Sequence, residues 1–128
     1  MKIIIAGSRN ILDYEVVIKA VKESNMEITE IVSGTAKGVD SLGEKYASDN
    51  NIPCSRFKAK WNDINVSGAV IKNNQYGAYN VKAGANRNEE MGEYADALIA
   101  IWDGKSSGTR HMINFMKFLN KKVFVFKV

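Results

Sequence analysis

Short apolar runs alternate along this chain with segments of helical periodicity, and this alternation constrains the fold more than any other feature. The first run, Lys2 to Ala6, is rich in β-branched residues and ends at Gly7. The next segment repeats apolar residues at i, i+3, i+4 and i+7, namely Tyr14, Val17, Ile18 and Val21. Continuous apolar runs are typical of buried strands, and the second spacing is typical of an amphipathic helix. The chain therefore begins with a strand and a helix, and we expect Asp13 to cap that helix.

The same alternation continues to the end of the chain. Further strands are predicted over residues 28–32, 52–58, 97–102 and 122–126, and helical spacing recurs over 39–46, 83–95 and 112–119. The exception is the segment from about 61 to 82, where short runs at 69–72 and 78–81 flank a polar turn at 73–77 and predict an inserted β-hairpin. Strands that alternate with helices predict an α/β fold, a Rossmann-like, doubly wound, mostly parallel sheet of about five strands.

Length and composition narrow the class of protein. A chain of 128 residues fits one domain, so we expect residues 1–128 to form a single ligand-binding domain. Cys54 is the only cysteine and His111 the only histidine, so neither an intramolecular disulfide nor a Cys/His zinc cluster is possible, and we expect no metal and no cofactor. We find neither a signal peptide nor a membrane-spanning run of ~18 apolar residues, and we expect a cytoplasmic protein without a membrane partner.

Two glycine-rich loops each follow a predicted strand and lead into a predicted helix. Residues 33–40 read Ser-Gly-Thr-Ala-Lys-Gly-Val-Asp, and residues 103–109 read Asp-Gly-Lys-Ser-Ser-Gly-Thr. Glycine lets backbone N–H groups approach an anion, and the helix dipole adds positive potential at the same place. A net charge of +4 is compatible with an anionic small molecule. Two such loops in a small domain indicate a nucleotide-like ligand.

The candidate binding residues converge on one edge of the predicted sheet. In doubly wound sheets the ligand lies at the carboxyl ends of the strands, where the strand order reverses. Arg87 is predicted at the start of a helix, where a cation opposes the dipole and a bound anion would compensate it. The predicted ligand-binding residues are Gly7, Ser8, Arg9, Ser33, Gly34, Thr35, Lys37, Gly38, Asp40, Arg87, Asn88, Asp103, Gly104, Ser106, Ser107, Gly108 and Thr109.

These motifs also have structural interpretations. Gly34 and Gly38 suit an ordinary tight turn, and the residues from Ser106 to Thr109 suit a helix N-cap. Asp40 either caps its helix or accepts a hydrogen bond from a ribose hydroxyl. His111 is interpreted as a helix-face residue rather than a general base.

Taken together, the motifs resemble the SLOG superfamily, which includes the lysine-decarboxylase-like LOG phosphoribohydrolases, the DNA-processing protein DprA and the YpsA/YspA-related proteins. The resemblance is to the YspA-related branch in particular, through Gly7-Ser8-Arg9, the two glycine-rich loops and Arg87-Asn88-Glu89-Glu90-Met91. It covers nearly the whole chain, with a longer, phage-like segment at about 61–81. The resemblance implies a Rossmann-like fold, a nucleotide-derived ligand and a homo-oligomer, either a dimer or a larger assembly.

The resemblance also bears on catalysis. In the LOG enzymes a glutamate follows the Gly-Thr that Gly108-Thr109 match, and it acts with an arginine that Arg87 matches. Here Arg110 to Ile113 follow instead, without a carboxylate. Stabilising a ribosyl cation or activating water needs a negative or basic group near the anomeric carbon, and Arg110 would disfavour such a cation. We therefore expect a non-catalytic binder, and the remaining catalytic candidates are Asp40, Glu89 and Asp103.

Three functional hypotheses follow. The first is a sensor or sequestering protein for a nucleotide-derived small molecule; the resemblance to phage-type relatives extends it to a phage protein that acts on an NAD-derived defence signal, such as a cyclic ADP-ribose derivative. The alternative is a nucleoside-phosphate or NAD-related N-glycosidic hydrolase or transferase. The second alternative is a DprA-like binder of single-stranded nucleic acid. Scattered lysines without a clear aromatic platform make nucleic acid the least favoured partner.

Overall fold

A computed structural model describes residues 1–59 and 83–128 together with the backbone of 71–74 and 77–80. In chain order the elements are β1 Lys2–Gly7, α1 Tyr14–Ser24, β2 Glu30–Ser33, α2 Val39–Asp49, β3 Cys54–Arg56, β4 Ile71–Asn74, β5 Gly77–Asn80, α3 Ala83–Tyr94, β6 Ala97–Trp102, α4 Ser107–Phe118 and β7 Lys122–Lys127. Within this described part of the chain, every helix is too short or too polar to cross a membrane.

Five strands form one parallel sheet in the order β3-β2-β1-β6-β7, and β4 and β5 form a separate antiparallel hairpin. The predicted α/β, Rossmann-like fold is therefore confirmed. From β1 the chain moves outward to β2 and β3, then returns to the other side of β1 as β6 and continues to β7. The strand order thus reverses between β1 and β6, and their carboxyl ends define the crevice where ligands bind in such sheets.

The sheet is buried on both faces, which explains its continuous apolar strands. Ile3 and Ile5 of β1 pack into a cluster with α1 and α2, whereas Ile4 packs into a second cluster with residues of α3 and α4. All three are fully buried. Successive strand residues point to opposite faces, so a strand covered on both sides needs apolar residues at every position. Each such side chain contributes roughly 1.5–3 kcal/mol to stability through burial.

The first helix has the predicted cap. The Asp13 carboxylate accepts a hydrogen bond from the Glu15 amide at 3.0 Å, and this satisfies one of the free N–H groups in the first turn. The helix ends at Asn25, whose left-handed backbone (φ 53°) lets its amide bond back to the Lys22 carbonyl.

Two predicted elements have different bounds in the structure. The predicted strand 52–58 is shorter, because the Ile52 amide bonds back to Ala47 of α2 and the partner strand β2 ends at Ser33. The hairpin strands are shifted, since Asn74 pairs with Gly77 and part of the predicted turn at 73–77 is strand. The remainder of the predicted insertion at 61–82 lies outside the described residues.

Candidate functional site

A cleft of about 660 Å³ lies at the carboxyl ends of β1 and β6, where the strand order reverses. Its size is within the range of small-molecule binding sites. Its walls come from the loop after β1, the start of α2, one face of α3, and the loop and first turns of α4. The lining residues are Ala6, Gly7, Ser8, Arg9, Asn10, Ala36, Asp40, Gly84, Ala85, Arg87, Asn88, Met91, Asp103, Ser106, Ser107, Gly108, Thr109, His111 and Met112.

The structure brings eleven of the seventeen predicted binding residues to this cleft, including Arg9, Asp40, Arg87 and Asn88. The other six do not line it. These six are Ser33, Gly34, Thr35, Lys37, Gly38 and Gly104. Among the described residues, the cleft therefore includes most of the second glycine-rich loop but only Ala36 and Asp40 of the first.

The N-terminus of α4 offers unpartnered backbone donors. Asp103 Oδ1 accepts hydrogen bonds from the amides of Lys105 and Ser106, both at 2.8 Å, and these bonds lower the pKa of the Asp103 carboxyl. The next three amides, of residues 107–109, find no acceptor among the described residues. Apart from its chain neighbours and the backbone of its own helix turn, no described residue has an atom within 4 Å of the position that a Cβ would take at Gly108. Free amides at the positive end of a helix dipole form an anion site.

Arg87 lies one turn inside α3, not at its start, which corrects the argument that its charge opposes the helix dipole at the first turn. Its Nε donates to Asn88 Oδ1 at 3.0 Å, and its Nη1 donates to the backbone carbonyl of Gly34. Burial lowers the pKa of Arg87, but a guanidinium remains charged in proteins. No other described residue accepts from its guanidinium, so within this part of the chain the remaining N–H groups can donate to an anion in the cleft.

Asn88 joins α3 to α4 beneath the cleft. Because its Oδ1 accepts from Arg87, its amide nitrogen faces α4, 3.4 Å from the Gly108 carbonyl and 3.4 Å from His111 Nδ1. His111 Nε2 lies 3.5 Å from a carboxylate oxygen of Glu89. Both ring nitrogens of His111 thus have partners. Glu89, a predicted catalytic candidate, is exposed and does not line the cleft.

In the first glycine-rich loop, two backbone amides donate to side chains of the loop itself. The Thr35 amide donates to Ser33 Oγ at 3.1 Å, and the Ala36 amide donates to Asp40 Oδ2 at 3.2 Å. A carboxylate of the chain itself thus lies at the α2 N-terminus, where the sequence predicted a phosphate. Gly38 has φ +74°, and a Cβ there would lie 2.4 Å from the Arg9 carbonyl. Close packing against the loop after β1 is therefore enough to explain this glycine.

Asp40 is the buried carboxylate of the cleft, with only 6% of its surface exposed. Burial raises its pKa from 3.8 to about 6, although the Ala36 amide and the positive charge of Arg87 partly oppose the shift. Oδ2 has the Ala36 amide as its donor, whereas no described residue donates to Oδ1. No fully buried side-chain oxygen of the described residues lacks a partner. Oδ1 is therefore the open part of Asp40, on the wall of the cleft.

Several residues that line the cleft, including Gly84, Met91 and Met112, were not predicted from the sequence. The spacing of these residues along α3 and α4 is the feature of the sequence that could have indicated them. Residues 84, 87, 88 and 91 follow the i, i+3, i+4, i+7 spacing of one face of α3, and 108, 111 and 112 follow it on α4. Residues that share a helix face with the predicted Arg87 and Gly108 therefore include these positions.

Comparison with known proteins agrees with this fold. Residues 1–63 match the family described as "YspA, cpYpsA-related SLOG family", and the predicted resemblance to the YspA-related branch of the SLOG superfamily is confirmed. The crystal structure of DNA processing protein A (DprA) from Streptococcus pneumoniae superposes with a TM-score of 0.69 at 19% identity, covering 97% of this chain and 49% of that one. This chain thus spans about half the length of DprA, and the likeness shows the fold. No protein of curated function is significantly similar in sequence.

Proposed function

Because the N-terminal half of the chain is of the SLOG type and the cleft lies where the strand order reverses, we propose that this protein binds a nucleotide-derived small molecule containing phosphate and ribose. It acts as a sensor or a sequestering protein. The proposal is carried by the backbone amides of residues 107–109, which have no acceptor among the described residues and lie at the start of a twelve-residue helix that faces the cleft. A phosphate is the ligand group that such amides recognise.

Two arginines support the binding of an anion. Arg87 lines the cleft, and its Nε and Nη1 each donate a hydrogen bond to a protein acceptor. These two bonds fix the orientation of the guanidinium before a ligand binds. Arg9 is exposed at the end of β1, and its charge lowers the pKa of both Arg87 and Asp40. A phosphate beside α4 would therefore have two guanidinium groups on the walls of the cleft, and hydrogen bonds between charged groups are the strong ones.

Asp40 favours a second function, the hydrolysis or transfer of an N-glycosidic bond. A carboxyl whose pKa is raised to about 6 is suited to general acid–base catalysis near neutral pH. Arg110 does not line the cleft, because its guanidinium lies over the Trp102 ring, 5.6 Å from the ring centre. Its charge is therefore a weaker objection to a ribosyl cation than the sequence suggested.

A third function, binding of single-stranded nucleic acid, rests on the structural likeness to DprA. Binding through phosphates weakens steeply as salt rises, because it releases counterions from the strand. An affinity for a single-stranded oligonucleotide that exceeds the affinity for every mononucleotide, with steep salt dependence, would favour this function over the first.

The test is to incubate the purified protein with AMP, ADP-ribose, NAD and cyclic ADP-ribose isomers, and to quantify free ligand and products by liquid chromatography before and after heat denaturation. Depletion followed by release of intact ligand supports the binder. Product beyond one equivalent supports the enzyme. Binding of none of the four compounds overturns both. Preference for a cyclic ADP-ribose isomer would support the further proposal of a phage protein acting on an NAD-derived defence signal.

The assembly of the protein is also a proposal. We propose a single cytoplasmic domain that forms a homo-oligomer. Light scattering coupled to size-exclusion chromatography, with and without the bound ligand, tests the oligomer directly: a mass of one chain under both conditions contradicts it.

A further inference from the structure

The wall of the cleft contains one carboxylate oxygen, Asp40 Oδ1, to which no described residue donates a hydrogen bond. Asp40 lies in the first turn of α2, and 94% of its surface is covered. Its Oδ2 is engaged by the Ala36 amide, and within the described part of the chain it forms neither an ion pair nor a bond through Oδ1. An ionised carboxylate only accepts hydrogen bonds, and Oδ1 is open to the cleft. A ligand that covered Oδ1 without donating to it would leave a buried acceptor unpaired, which is costly. A ligand that fills the cleft therefore has to supply an O–H or N–H group at this point.

The same point excludes the anionic part of the ligand. A phosphate next to Asp40 would place two negative charges together in a poorly solvated site, which is strongly unfavourable. The free amides of residues 107–109 belong to a different wall of the cleft. The two walls thus differ in what they offer a ligand. The α4 wall presents the amides of residues 107–109 to an anion, next to Asp103, whose Oδ1 already accepts two backbone amides. The α2 wall presents Asp40 Oδ1, an acceptor without a donor among the described residues, to a neutral donor.

The position of Arg87 indicates that the anionic group and the neutral donor lie close together on the ligand. Asp40 Oδ2 and Arg87 Nη1 lie 2.8 and 3.0 Å from a single point, the position that a Cβ would occupy on Gly34. The arginine that faces the phosphate is therefore adjacent to the carboxylate that needs a donor. In a nucleotide the hydroxyls nearest to the 5′-phosphate are those of the ribose, whereas the amino groups of the base lie farther away.

We propose that Asp40 accepts a hydrogen bond from a ribose hydroxyl of the ligand and thereby distinguishes a ribonucleotide from an analogue that lacks this hydroxyl. This inference rests on the proposed binding of a phosphate- and ribose-containing molecule. It assigns Asp40 a role in specificity, because the carboxylate contacts the sugar and leaves the phosphate to α4 and Arg87.

Calorimetric titration with AMP, 2′-deoxy-AMP and 3′-deoxy-AMP tests the inference. The wild-type protein should bind at least one deoxy analogue about tenfold or more weakly than AMP, because a hydrogen bond to a charged acceptor is lost. Asp40→Asn should bring that ratio close to one, since its amide oxygen is needed by the Ala36 amide and its NH₂ group then faces the cleft. Glu23→Gln, which removes an exposed carboxylate from α1, should keep the wild-type ratio.

The outcomes separate the inference from the function on which it rests. If the wild-type protein binds none of the three nucleotides or the NAD-derived compounds, the proposed function fails. If all three nucleotides bind equally well, the function stands and the inference is overturned. A preference for AMP that persists in Asp40→Asn overturns it too. The comparison of the three nucleotides on wild-type protein remains decisive even if Asp40→Asn does not fold.

Discussion

The guanidinium of Arg87 donates a hydrogen bond to the backbone carbonyl of Gly34, a residue 53 positions earlier in the chain. This bond joins α3 to the residue that follows β2. Because the same guanidinium also bonds to Asn88 on its own helix, its orientation is determined by two neighbours before any ligand binds. A charge held in place in this way loses less conformational entropy on binding.

Replacing Arg87 tests whether this charge contributes to binding. Arg87→Ala should weaken AMP binding by about 1.5–3 kcal/mol in calorimetric titration, the usual contribution of a hydrogen bond to a charged group. Arg56→Ala is the matched control, since Arg56 pairs with Glu44 at 3.2 Å and is largely exposed away from the cleft lining. An Arg87→Ala protein that is folded by circular dichroism and binds AMP like the wild type would remove Arg87 from the site.

Two glycines should respond oppositely to the addition of a methyl group. In Gly34→Ala the new Cβ would lie 2.8 Å from Asp40 Oδ2 and 3.0 Å from Arg87 Nη1, so both side chains have to move. We expect a loss of about 1–3 kcal/mol in the free energy of unfolding. Gly108→Ala meets no atom within 4 Å and should stabilise α4 by up to about 1 kcal/mol. Urea unfolding of both variants measures this difference, and equal effects would contradict it.

The raised pKa of Asp40 should make stability depend on pH. Burial raises this pKa from 3.8 to about 6, so between these pH values the folded protein binds more protons than the unfolded chain. Stability therefore falls as the pH rises through this window, by roughly 3 kcal/mol in total. Asp40→Asn cannot titrate and lacks this decrease. Urea unfolding of both proteins from about pH 4 to pH 8 provides the measurement, and parallel curves would show that Asp40 does not titrate in this range.

Arg87 and Asn88 should act as a coupled pair. The Asn88 amide accepts from Arg87 and also contacts α4, so removing either side chain disturbs the position of the other. A double-mutant cycle with Arg87→Ala and Asn88→Ala should give an interaction energy of about 0.5–3 kcal/mol in urea unfolding. Strictly additive effects would mean that the bond between them contributes nothing to stability.

The architecture was predictable from the sequence because burial on both faces leaves a local signal. A strand such as Lys2–Gly7, covered by helices on each side, has to be apolar at nearly every position, and a helix on one face keeps a single apolar stripe. The alternation of these two patterns therefore predicted the parallel sheet and the edge at which the loops meet.

The direction of the amides in the first glycine-rich loop was not predictable. It depends on the backbone of Thr35 at φ 62° and Gly38 at φ 74°, and on the Asp40 carboxylate that receives the Ala36 amide. A loop of the same composition with other dihedral angles would present those amides outward. The bond from Arg87 to Gly34 was equally hidden, since no local pattern relates residues so far apart in the chain.

The inward-facing amides of that loop give the cleft a polarity. With the amides of residues 107–109 on the α4 wall and the Asp40 carboxylate on the α2 wall, the two walls of the site carry chemically unlike groups. On the proposed function, a ligand with one phosphate would therefore bind in a single orientation, with its phosphate towards α4 and its sugar hydroxyls towards α2.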